Sequence, residues 1–197
     1  MAAEPREFDE LENVDIAHTR EEFRCWLENN HGSERECWLK LKRGRPTEDA
    51  FAYLDAVEEA LCFGWIDGHL KSFEGCGALQ RFTPRSRGSS WSELNKERVR
   101  RLERLGKMTD VGHACLPAMG PRSFRIYEGI EGELKKARLW TRFKSFPPLY
   151  QRVRADNIQR VRSRPDEYRK RLDRLIEATR QGKLYGEWDD FRRLSMQ

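Results

Sequence analysis

Trp65-Ile66-Asp67-Gly68-His69-Leu70-Lys71-Ser72-Phe73-Glu74-Gly75-Cys76-Gly77-Ala78-Leu79-Gln80-Arg81-Phe82-Thr83 is the stretch that decides the fold. Residues 65–74 and 78–83 read as two strands. Gly75-Cys76-Gly77 between them is a three-residue loop with glycine at hand for the left-handed position such hairpins require. Pairing Glu74 with Ala78 sets Lys71 opposite Arg81 and His69 opposite Thr83. That register puts Trp65, Asp67, His69, Lys71, Arg81 and Thr83 on one polar face, and Ile66, Leu70 and Phe82 on a core face. A slip of one residue would mix the two sets.

Upstream, residues 54–61 form a helix that buries Leu54, Val57 and Leu61 and stops at Gly64. Residues 35–42 alternate Cys37, Leu39 and Leu41 against Trp38, Lys40 and Lys42, which predicts a strand with one apolar face; Gly44 and Pro46 then open a loop. Thr19 and Glu22 make a capping box for a helix with Phe23, Trp26 and Leu27 on one stripe, ended at His31-Gly32.

Downstream, Pro84 halts the second strand, and Ser90 with Glu93 predicts another capping box for a helix running to Gly106. Its inner stripe is Trp91, Leu94, Leu102 and Leu105, and Lys96, Arg100 and Arg104 form a basic outer edge. Thr109 caps a short helix, and the 117–121 segment, bounded by prolines, is a subdomain boundary. Beyond it, helices are expected over 133–143 and 149–161 and after Pro165, the last with Tyr168, Leu172, Leu175 and Thr179 on one face until Gly182. Trp188, Phe191 and Leu194 predict a final turn of helix. The expected class is α+β, a small antiparallel sheet of residues 36–42, 65–73 and 79–83 covered by helices, with a helical C-terminal extension. The expected organisation is an acidic N-terminal tail (1–18), an α+β core (19–117) and a helical subdomain (118–197).

The chain has 197 residues, enough for one full core with an appendage. Charged residues make up 36% of it and apolar ones 38%, and six Trp with ten Phe exclude disorder. The net charge of +5 conceals an asymmetry: residues 1–36 hold eleven acids against four bases, a net −7, which leaves +12 for the rest. A body that basic attracts phosphate-bearing partners or anionic lipid surfaces, and the acidic segment is placed to fold across the same surface and compete with them. The five cysteines contain no C-x-x-C pair and read as reduced thiols, without a disulfide framework or a zinc site. No export signal or membrane-length apolar run is present, which gives a cytoplasmic location by default.

The strongest local constellation is Arg81-Phe82-Thr83-Pro84-Arg85-Ser86-Arg87-Gly88-Ser89-Ser90-Trp91, which carries guanidiniums and hydroxyls to a helix start. Backbone N–H groups and the positive end of the helix dipole attract a phosphate or carboxylate there, and Arg85 or Arg87 can bind it bidentately. Equally, Ser90 serves only as the cap and the arginines face water. Asp67 and His69, on one strand face, could supply a general base. The expected ligand-binding set is Trp65, Asp67, His69, Arg81, Thr83, Arg85, Ser90, Trp91 and Asn95. Cys62, in an apolar helix end, reads as an inert thiol. His18, His31, His69 and His113 are scattered without a metal-ligand spacing, and neither a dinucleotide fingerprint nor a P-loop occurs, so no cofactor or metal is expected. Acids interrupt both the Lys96, Arg100, Arg104 edge and the arginine-rich 152–174 stretch, so nucleic acid is a possible but not the favoured partner.

Ala56-Val57-Glu58-Glu59-Ala60-Leu61-Cys62-Phe63-Gly64-Trp65-Ile66-Asp67-Gly68, Arg81-Phe82-Thr83-Pro84-Arg85, Ser90-Trp91-Ser92-Glu93-Leu94-Asn95 and Gly106-Lys107-Met108-Thr109 together resemble the signature of the YdeI/OmpD-associated proteins. Trp26-Leu27-Glu28-Asn29-Asn30-His31 and Trp38-Leu39-Lys40 are similar to that family's opening, and the likeness covers about residues 19–116. The C-terminal third matches only loosely. The resemblance implies a stress-response context, bacterial tolerance of cationic antimicrobial peptides and bacteriocins, and brings no catalytic residues. A chain with an isoelectric point near 9.0 repels cationic peptides, which argues against direct sequestration other than by the acidic N-terminal segment. The preferred expectation is a non-catalytic binding module for an anionic small molecule or protein partner. A small enzyme using Asp67 and His69 with Arg81 and Arg85, and a nucleic-acid binder, are the alternatives.

Overall fold

The computed structural model describes residues 8–86 and 88–195. Its elements run α1 (Arg20–Asn30), β1 (Cys37–Leu39), α2 (Tyr53–Cys62), β2 (Trp65–Phe73), β3 (Gly77–Pro84), α3 (Glu93–Arg104), α4 (Asp110–Ala114), α5 (Glu128–Lys136), α6 (Trp140–Lys144), α7 (Pro148–Gln159) and α8 (Pro165–Gln181). The strands form one antiparallel sheet in the order β1-β3-β2, so the fold is α+β, with the later helices following the sheet. The chain divides into two compact units. The first is the chain up to Ser89 together with Val99–Pro117; the second is Ser90–Arg98 together with the chain from Ala118 onward.

In the first unit, the Thr19 hydroxyl accepts from the Glu22 N–H, and the Glu22 carboxylate reaches back to the His18 N–H, closing the N-terminus of α1. Phe23 of α1 packs against Phe82 of β3, and Trp26 stands edge-on to Trp65 of β2. Gly64, with φ of +72°, ends α2. A Cβ on Gly112 of α4 would come within 2.1 Å of the Cys62 carbonyl oxygen, so only glycine lets α4 sit against the end of α2.

The hairpin does not keep the register expected from its alternation. Phe73 pairs with Gly77 and Lys71 with Leu79, which makes Glu74-Gly75-Cys76 the loop; beyond an irregularity between Asp67 and Leu70, Asp67 pairs with Phe82 and Trp65 with Pro84. The cause is Gln80. Its buried side-chain amide donates to the carbonyls of Gly68 (2.8 Å) and Arg81 (3.0 Å), satisfying backbone left open by the bulge. Parity therefore changes at the start of β2: Trp65 and Asp67 join Phe82 on the helix-facing side, while Leu70 keeps its expected face, opposite Gln80, but is half exposed.

The strand expected over 36–42 is only three residues long and buried throughout, because both of its faces are covered. Cys37 and Leu39 share the face of Phe82 and Gln80, and Trp38 lies on the other with Phe73 and Leu79. Phe8, Leu11 and Val14 close that second face. Backbone hydrogen bonds from Asp15 N–H to Trp38 O and from Trp38 N–H to Asn13 O tie this segment to the sheet edge, so residues 8–18 are built into the unit.

Two adjacent carboxylates lie inside α2. Glu58 and Glu59 are each 1% exposed. Arg20 reaches Glu58 at 2.9 Å and Glu59 at 2.5 Å, Arg24 reaches Glu59 at 2.8 Å, and Arg101 reaches Glu58 at 2.8 Å. Buried like charges on neighbouring residues are tolerable only with such a surround of guanidiniums.

The second unit is helical around Ile130, Leu134, Phe143, Tyr150, Ile158, Leu172 and Leu175. The single helix expected over 133–143 is two, α5 and α6, because Arg138 takes a left-handed conformation with φ of +59°. The final helical turn expected at Trp188 to Leu194 is absent: Asp190, Phe191 and Arg192 all have positive φ. That conformation is held by side chains. Arg98 binds the buried Asp190 carboxylate at 2.6 and 2.8 Å, and one Glu187 oxygen accepts from the N–H groups of Trp188, Asp189 and Phe191.

Removing one member of the α2 cluster leaves partners with uncompensated charge. Glu59→Ala is expected to destabilise the first unit by about 3–5 kcal/mol, read from the urea unfolding midpoint; a loss below about 1 kcal/mol would show that the carboxylate is not needed to balance Arg20 and Arg24.

Candidate functional site

The residues expected to share a ligand site do not gather at one place in the first unit. Trp65 is buried, its indole N–H donating to the His31 carbonyl. Asp67 accepts a short hydrogen bond from the Tyr53 hydroxyl at the start of α2. His69, beyond the bulge, lies edge-on to Trp38 on the opposite face of the sheet. Arg81 binds the buried Glu36 carboxylate through Nε at 2.7 Å and Nη2 at 2.5 Å. Thr83 is half-buried opposite Ile66, and Arg85 donates through its backbone N–H to the Gly64 carbonyl. Arg87 lies outside the described residues. Cys62 is buried, and that burial pushes its thiol up to about 12, which suits an inert side chain.

Ser90, Trp91 and Asn95 belong to the second unit. Asn95 is buried and accepts from Arg98 at 2.7 Å, while Trp91 is half-buried. Lys96, expected on an outer basic edge, is 7% exposed and paired with Glu93 at 2.8 Å, whereas Leu105, expected inside, is half exposed. Within the 152–174 stretch, Arg152 is paired with Glu97, Arg169 with Glu133 and Asp173, and Arg171 with Glu167.

The start of α3 is where the sequence and the structure differ most usefully. Ser92, not Ser90, caps it: its hydroxyl accepts from the Asn95 N–H at 3.1 Å. The Glu93 N–H donates to Oδ2 of Asp156 on α7 at 3.0 Å, so an anion does sit at this helix start, and it is the protein's own carboxylate. Ser90 is left over for Arg160, whose Nη1 donates to the Ser90 hydroxyl at 3.0 Å while Nε lies 3.4 Å from Asp156.

Asp156 and Arg160 also form one wall of a recess of about 610 Å³, completed by Arg125, Ile126, Tyr127, Glu128, Gln159 and Arg162. Gln159 fixes the entry to α5, its side-chain Oε1 accepting from the Tyr127 N–H at 3.1 Å. The Arg162 guanidinium lies over the Tyr127 ring at 4.6 Å. Arg125, Arg160 and Arg162 are exposed, and among the described residues no side-chain partner meets Arg125 or Glu128. Asp156 is the buried member, 9% exposed, and only its Oδ2 is engaged. Burial raises its pKa above the ordinary aspartate value, and the Glu93 carboxylate adds to that, against the Glu93 N–H, Arg160 and Lys96, which lower it.

An arginine-lined recess at a helix N-terminus can hold a phosphate or carboxylate. Arg160 and Arg162 were visible in the sequence only as part of an arginine-rich stretch; that Arg125, Tyr127 and Gln159 meet them depends on the packing of α5 beside α7, for which the chain has no local signature. Among the described residues no group of three or more His, Cys, Asp or Glu side chains is placed to hold a metal, and no helix is long and apolar enough to cross a membrane.

Fold and recess together define an α+β protein with an anion-compatible surface in its helical unit. The chain belongs to the family described as Domain of unknown function (DUF8412), whose model matches residues 16–115. No curated protein and no solved structure matches it. The recess residues from Arg125 onward lie beyond the matched stretch.

The Asp156 proton gives a test of this geometry. An acid whose pKa is raised on folding holds its proton more tightly in the native state, so its contribution becomes unfavourable as pH climbs from the ordinary aspartate value through the raised one. Relative to Asp156→Asn, which keeps an oxygen for the Glu93 N–H, the wild-type protein is expected to lose stability across that window. Urea unfolding of both proteins over a pH series measures it; a stability difference that stays constant, or that moves in the wild type's favour as pH rises, contradicts the placement.

Proposed function

We propose that the chain is a non-catalytic binding module that receives an anionic ligand in the recess of the second unit. The observation that carries this reading is the grouping of Arg125, Arg160 and Arg162 around the start of α5, with Arg125 unpaired among the described residues. The +12 carried by the chain beyond residue 36 supports it by concentrating anions near the protein. The likeness to the YdeI/OmpD-associated proteins supplies the setting, a stress response linked to tolerance of cationic antimicrobial peptides and bacteriocins. In that setting the protein acts as a receiver of an anionic small molecule or partner, since its net positive charge disfavours capture of cationic peptides.

Thermal-shift titration with inorganic phosphate, sulfate and nucleotides tests the proposal. At least one is expected to raise the melting temperature, by about 5–10 °C at a hundredfold excess over Kd. The shift should disappear in the double variant Arg125→Glu, Arg162→Glu. Flat curves for every anion, or an equal shift in the double variant, would overturn it.

A further inference from the structure

The recess contains a group that a simple anion does not need. Asp156 places a carboxylate in its wall: Oδ2 is engaged by the Glu93 N–H, and Oδ1, which solvent reaches, accepts no hydrogen bond from any described residue. Glu93 and Lys96 from α3 and Arg160, the residue that ends α7, act on Asp156, and Arg125, Tyr127, Glu128 and Arg162 line the same recess. Capping the Glu93 N–H requires only an oxygen, which an asparagine amide would provide without burying a charge. Against sulfate or phosphate alone a carboxylate in the wall is repulsive.

A ligand that carries a cation beside its anion resolves both points. We propose that the recess takes a phosphorylated amine, its phosphate received by Arg125, Arg160 and Arg162 and its ammonium by Oδ1 of Asp156. Three guanidiniums outweigh what a single carboxylate ligand would neutralise, whereas a phosphomonoester is close to dianionic at neutral pH. The exposed Glu128 carboxylate, at the first position of α5, adds a second acceptor for the ammonium. The proposal rests on the anion-binding reading above and adds the chemical class of the ligand. A free phosphoamine and the headgroup of an aminophospholipid share this chemistry.

Isothermal titration of the full chain with O-phosphoethanolamine and with ethyl phosphate, which differ in the ammonium, is the deciding comparison. O-phosphoethanolamine is expected to bind at least about tenfold more tightly, as for a hydrogen bond between charged groups. The advantage is expected to vanish in Asp156→Asn. If that variant does not fold, the ratio of the two affinities in the wild-type protein is read against pH, and it should fall towards one as Asp156 takes up its proton. Cosedimentation with phosphatidylethanolamine vesicles separates the sources: vesicle binding that O-phosphoethanolamine competes away assigns the headgroup, and binding of the free compound alone assigns the soluble phosphoamine. Equal affinity for the two soluble probes with no vesicle binding overturns the proposal and leaves the anion site standing, whereas binding of neither probe, in either form, overturns both.

Discussion

Two carboxylates buried side by side on one helix set the terms for the first unit. Glu58 and Glu59 are surrounded by residues whose apolar neighbours fill the core, so neither can turn to solvent without breaking α2 out of the structure. Arg20 and Arg24 of α1 and Arg101 near the end of α3 must therefore converge on α2, and their convergence fixes where those helices lie. Replacement by apolar residues of similar volume could have been as stable; what the charges add is a fixed partner for each helix. The sheet is organised by a smaller version of the same rule. Gln80, buried in β3, accepts from the Arg43 guanidinium through its amide oxygen and donates through its amide nitrogen to the Gly68 carbonyl of the bulged strand, and that bulge changes which side of the sheet Trp65 and Asp67 occupy relative to the rest of β2.

In the second unit the corresponding element is Asp156. It lies where α7 meets the beginning of α3, accepts from the Glu93 N–H, holds Arg160 near Ser90, and faces the recess. Burial makes its charge unfavourable, so the site keeps a carboxylate at a cost to stability. Asp156 is ion-paired with Arg160, which lines the same recess.

Much of the architecture was legible from periodicity and end signals. The helix that Thr19 starts, the helix that Gly64 ends, the paired strands around residue 75 and the α+β class all follow from local rules that the structure obeys. What was not legible depended on single polar residues with distant partners. Gln80 looked like an ordinary strand residue, yet it set the register. Ser90 and Ser92 are equally good caps by type; Ser92 caps α3, and Ser90 accepts from Arg160. The left-handed run at 190–192 follows from Arg98, more than ninety positions earlier in the chain. The candidate site shows the same split: an anion at the start of α3 was foreseeable from helix electrostatics, but that the anion is Asp156, and that a recess opens beside it, required the packing of α3, α5 and α7 within the second unit.

Binding in the recess, as opposed to the arginine-rich loop after β3, is the central claim. Amide chemical-shift mapping of the full chain during titration with inorganic phosphate tests it most directly. Perturbations should concentrate at Arg125 to Gly129 and Asp156 to Arg162 and saturate together. Perturbations confined to Arg81 to Ser86, or none that saturate, would contradict it.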